Sequence, residues 1–68
     1  MKRAEFSAIC RGVTDGEERY VEDITFHKTG KVLSCQGNRF QVEVKGSRQT
    51  WPSEACRERW DIPGGQGG

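Results

Sequence analysis

Four side chains in this 68-residue sequence have the chemistry to ligate a metal or attack a substrate: Cys10, Cys35, Cys56 and His27. Thiolates and an imidazole form a common structural zinc set. Their spacing does not suit one. The cysteines lie 25 and 21 residues apart and no Cys-x-x-Cys occurs, whereas zinc knuckles and ribbons bring their ligands in close pairs. An odd count at such intervals is equally unlike the disulfide framework of a small secreted domain. The pattern predicts three reduced thiols, at least one of them packed in the core as a small hydrophobe. No metal and no cofactor is expected. Catalysis would need His27 beside a nucleophile, and the sequence sets no serine or cysteine next to it. No Gly-Lys-Ser/Thr follows a glycine-rich turn, so no phosphate-binding loop is present. The expectation is a protein that is not an enzyme and takes no small-molecule substrate.

Charge is more informative. Residues 1–23 carry four basic and six acidic groups, residues 24–51 five basic groups against Glu43 alone, and residues 52–68 are net −1. The middle segment, net +4, supplies the candidate anion-binding or nucleic-acid-binding residues: Lys28, Lys31, Arg39, Lys45 and Arg48. Phosphates are held by such cations. The competing reading is a solvated hairpin whose long basic side chains blunt a sheet edge. Tyr20 and Trp60 are the candidate aromatic platform for stacking a base or docking a peptide. Against that, a small domain needs its tryptophans for burial.

The elements that must position these groups are strands. Arg39-Phe-Gln-Val-Glu-Val-Lys45 alternates polar and apolar at every step, the mark of a strand with one buried face. Gly37-Asn38 before it and Gly46-Ser47 after it suit two-residue hairpin loops. Those loops predict Cys35 opposite Phe40, Leu33 opposite Val42, Lys45 opposite Arg48 and Trp51 opposite Val42. The inner face then carries Phe40, Val42, Val44, Leu33, Cys35 and Trp51, and the outer face Arg39, Gln41, Glu43, Lys45, Arg48 and Thr50. Like charges at Lys45 and Arg48 cost a few tenths of a kcal/mol, a cost that a bound anion would relieve. Residues 27–31 read as the preceding turn, with Phe26 opposite Leu33 and Ile24 opposite Cys35, both in the core. Phe6–Val13 reads as an N-terminal strand, with Phe6/Ala8/Cys10 and Ile9/Val13 as alternative inward sets. Trp51-Pro52-Ser53-Glu54 ends the last hairpin strand, because proline cannot donate to the ladder. A short 3₁₀ turn and a strand to Ile62 are expected next, an α-helix to Trp60 being the other option. Residues 1–62 are expected to form one domain and 63–68 a flexible glycine-rich tail.

The fold class is therefore all-β: a small five-stranded antiparallel meander, curled, with one short 3₁₀ or α turn near residues 53–57. On Gly30-Lys31-Val32, Phe40-Gln-Val-Glu-Val44 and Trp51-Pro52-Ser53-Glu54, residues 30–62 resemble the small SH3-like barrels of the KOW and Tudor type. That resemblance implies a binding module, and a fold alone does not choose its ligand. Two partners are expected as alternatives. One is nucleic acid, held by the basic hairpins. The other is a charged protein, met by the dipole between Asp15-Gly-Glu-Glu18 and those hairpins. No apolar run is long enough to span a bilayer, and the first residues lack a signal peptide's apolar core. A cytoplasmic location without membrane contact is the expectation.

Overall fold

The computed structural model describes residues 1–59. One helix, α1 (Arg3–Thr14), precedes five strands: β1 (Tyr20–Asp23), β2 (Lys28–Gln36), β3 (Arg39–Val44), β4 (Ser47–Pro52) and β5 (Cys56–Arg59), with a 3₁₀ turn at Ser53–Ala55 before β5. All pairings are antiparallel, in the order β4-β3-β2-β1-β5. The expected five-stranded, mostly β architecture with its 3₁₀ turn is present. Its curl follows from the connection. Across a flat sheet, β4 and β5 would lie roughly 19 Å apart, four spacings of about 4.8 Å. Only the three residues of the 3₁₀ turn join them, and such a turn rises about 2 Å per residue. The sheet therefore bends until its outer strands approach, without closing into a ladder among the described residues.

The N-terminal segment corrects the expected strand at Phe6–Val13: it is helical. Phe6, Ile9, Cys10 and Val13 fall at i, i+3, i+4 and i+7, one face of a helix. A strand would have split them into the two incompatible inward sets. Glu5 accepts a hydrogen bond from the Lys2 N–H at 3.0 Å, satisfying a donor that a helix start leaves open. The apolar face covers the concave side of the sheet. Ile9 joins Val21, Val32, Phe40, Val42, Trp51 and Cys56 in the core, and the Phe6 and Phe40 rings lie 4.9 Å apart.

The cysteine expectation is also corrected. Cys10 of α1 and Cys35 of β2 form a disulfide, 5.9 Å apart at Cα. Facing elements, not sequence spacing, brought them together. Cys56 is free and buried, as expected of at least one thiol.

Register differs from expectation in three places. The β3–β4 loop is Lys45-Gly46, with φ of 51° and 82°, and Val44 faces Ser47. Both residues of a type I′ loop need positive φ, and this choice puts glycine at the second. The ladder moves by two positions, so every side chain keeps its face. Trp51 now lies opposite Phe40 and Arg48 opposite Glu43, replacing the Lys45/Arg48 pair with opposite charges. Gln36/Arg39 and Cys35/Phe40 pair as expected, but a bulge between Val32 and Ser34 sets Val32, not Leu33, against Val42.

The third difference lies before β2. The turn is Ile24–His27 and not residues 27–31, since Asp23 pairs with Lys28. Ile24 and Phe26, expected in the core, are exposed. Val21 fills the interior instead. Gly30 sits inside β2 for a different reason from turning: a Cβ there would lie 3.0 Å from Val42 Cβ and 3.2 Å from Trp51 Cη2. Its bare backbone lets the indole lie across the sheet. The expected end of the domain at residue 62, Trp60 and the tail 63–68 lie outside the described residues.

Candidate nucleic-acid interface

Three of the five predicted cations meet in one place. Lys28 and Lys31 rise from the first half of β2, and Lys45 from the β3–β4 loop. Together with Tyr20 of β1 and His27 of the preceding turn they line a groove of ≈ 650 Å³, floored by Thr29, Glu43, Val44, Ser47 and Gln49. The antiparallel pairings explain the convergence. Tyr20 lies opposite Lys31, and Lys31 opposite Glu43, so one row across three strands brings them side by side. The hairpin that carries Lys45 ends at the same edge. Three lysines against Glu43 leave the lining at net +2 before His27 is counted.

The lysines differ in how committed they are. Lys31 stands 3.9 Å from Glu18, with both side chains well exposed, an arrangement of small energetic value. Among the described residues, Lys28 and Lys45 form no ion pair. Lys45 holds its cation out on a residue in the left-handed region, which non-glycine residues seldom occupy. Tyr20 is half-buried, its hydroxyl 3.5 Å from a Glu18 carboxylate oxygen.

The other predicted residues are not among the lining residues. Arg48 continues the Tyr20–Lys31–Glu43 row by one strand, opposite Glu43, and so borders the groove. Arg39 opens β3 opposite Gln36 and Pro52, at the far end of the strand from Lys45. A six-residue strand separates those ends by about 20 Å. Trp60 lies outside the described residues. His27 is the lining residue that sequence reading did not place in the groove. The signal available was Asp23 followed by Thr25, an arrangement in which the carboxylate caps its own turn.

A second charged cluster holds the sheet together. Glu22 of β1 is buried, and Arg57 Nε donates to its Oε1 at 2.8 Å, with Arg59 at 3.4 Å and His27 Nδ1 3.7 Å from Oε2. The hydrogen bond from Arg57, reinforced by the charges of Arg57 and Arg59, holds the Glu22 carboxyl below its ordinary pKa. Arg19 donates to Glu58 at 2.7 Å and to Glu17 at 3.0 Å. Burial, with the nearby Asp23 carboxylate, pushes the Cys56 thiol up to about 11. It is therefore protonated and unreactive at neutral pH. Among the described residues no group of three or more His, Cys, Asp or Glu could hold a metal ion. None of their helices is long and apolar enough to cross a membrane. With Cys10 and Cys35 joined, cysteine usage no longer points to a reducing compartment.

The chain matches no family model, no curated protein and no solved structure.

Proposed function

We propose that this chain is a non-enzymatic binding module whose groove takes the phosphate backbone of a nucleic acid. The observation that carries the reading is the convergence of Lys28, Lys31 and Lys45 on one groove, with two of the three lacking an acidic partner among the described residues. Lysines fixed at one edge of a rigid sheet offer the repeated point charges that a phosphate chain neutralises. The resemblance to SH3-like barrels of the KOW and Tudor type agrees with a binding role. A titration of labelled oligonucleotide by fluorescence anisotropy tests it. Three phosphate contacts give a log–log salt slope of about −2 to −3. No binding at low salt, or binding that ignores salt, rejects the reading.

A charged protein is the second reading. It draws on the acidic turn at Asp15, Glu17 and Glu18, which stands beside the groove and reaches Lys31 through Glu18. A protein partner that competes for Lys45, in a chain that ignores oligonucleotides, would favour it.

A further inference from the structure

Ile24 and Phe26 are the exposed large hydrophobic residues among those described, Phe26 at 69%. A domain this small has few aromatic side chains to leave outside its core. The turn that carries Phe26 is built to keep it there. Asp23 is buried, and its Oδ1 accepts hydrogen bonds from the N–H groups of Thr25 at 2.9 Å and Phe26 at 3.4 Å. Its carbonyl accepts from the His27 N–H at 2.7 Å, and the Ile24 N–H donates to the Ala55 carbonyl at 2.9 Å. His27 then closes the turn at φ +56°. A non-glycine residue held in that region is a constraint that the surrounding structure must enforce. The ring is thus displayed on an ordered backbone, and little freedom remains to be lost when it is covered.

The place of the ring matters as much as its exposure. The residues directly after Phe26, His27 and Lys28, line the basic groove. Phe26 is not itself part of that lining, but its exposed side chain comes one position before the lining residue His27 in the chain. That combination binds single-stranded nucleic acid, because cations track the backbone while an aromatic ring stacks on any unpaired base. A duplex offers the same phosphates, but its bases already stack on each other. We propose that Phe26 is the stacking platform of this groove and that the chain selects single-stranded over duplex nucleic acid. The proposal rests on the nucleic-acid reading of the groove and deepens it.

The test uses the full chain and a 12-nucleotide strand with one 2-aminopurine, free or paired in a duplex. The single strand is expected to bind about tenfold more tightly at equal salt, with quenching of the 2-aminopurine. Phe26→Ala is expected to weaken single-strand binding by about tenfold and abolish the quenching while leaving the salt slope unchanged. Phe26→Trp is expected to retain both. Circular dichroism melts confirm folding, since the side chain is exposed. Equal affinity for strand and duplex overturns the proposal. So does wild-type binding by Phe26→Ala, even where Lys45→Asn weakens the complex and the groove reading survives. If neither oligonucleotide binds at low salt, the groove reading falls and this one falls with it.

Discussion

At the β1–β5 end of the sheet, Arg19 is shared between Glu17 and Glu58, and Arg57 and Arg59 converge on Glu22. On the groove side of β2 and β3, by contrast, Lys28 and Lys45 have no such partners among the described residues, and Lys31 has only a distant one. The sequence distributes both kinds of charge through the chain without marking the difference. It arises because β5 is a four-residue edge strand with one fully buried side chain, Cys56. So short a strand fixes its register partly through opposite charges placed across from one another, as Glu22 is across from Arg57. The β2–β3–β4 hairpins have Val32, Phe40, Val42 and Trp51 to hold their register. Their cations are left over. Charge committed to structure stands along β5, and charge available to a partner in the groove.

The largest effect should come from the apolar core. Phe40→Ala removes a fully buried ring in contact with Phe6 and is expected to cost about 3–5 kcal/mol. Urea unfolding measures it. Reducing Cys10–Cys35 should cost about 3 kcal/mol, from opening a loop across 25 residues. Its signature is a fall in the urea midpoint with a dithiol reductant that the Cys10→Ser/Cys35→Ser chain does not show. The charged cluster should respond less. Glu58→Gln takes the charge from the acceptor of the Arg19 hydrogen bond and is expected to cost about 1–2 kcal/mol.

Acid separates the two regions further. The folded Glu22 carboxyl titrates below its ordinary value of 4.5. The unfolded chain therefore takes up the proton first as pH falls. Glu22's contribution to stability is present above that value and is lost as pH drops through the lower, folded one. Urea midpoints for the native chain and Glu22→Gln should differ at pH 6 and converge toward pH 3. A constant difference would show that the carboxylate charge is not what holds β5. The smallest effect on stability belongs to Lys45→Asn, within about 0.5 kcal/mol, because asparagine tolerates the left-handed conformation observed at Lys45. The same substitution should reduce the salt slope of oligonucleotide binding by about one. A stability loss with unchanged binding would erase the contrast between the two regions.

Alternation alone exposed the central strand. Phe40, Val42 and Trp51 share a buried face because a two-residue period leaves no other arrangement, and a ladder shift of two positions does not disturb it. The basic middle segment was equally legible as composition. Local pattern was a poorer guide wherever two elements had to meet. The N-terminal helix was hidden by reading Phe6–Val13 with the wrong period, although Phe6, Ile9, Cys10 and Val13 carry the helical one. Gly30 looked like a turn because glycine serves turns and close packing alike, and only Trp51 lying across it tells which.

What the sequence determined by itself was a small β domain, curled, with its apolar residues sorted to one side and a surplus of cations in its middle. The physical reason is that face and charge are properties of single strands, fixed by side-chain order. What tertiary structure decided was which residues were left outside and which were joined. Cys10 and Cys35 became partners because α1 packs on β2. Phe26 became a surface residue because Asp23 folds the turn back beneath it. Lys28, Lys31 and Lys45 became one groove, and Arg39 did not, because the register of three strands sets them at the same end of the sheet. Those outcomes depend on contacts between segments distant in sequence, and no local pattern encodes them.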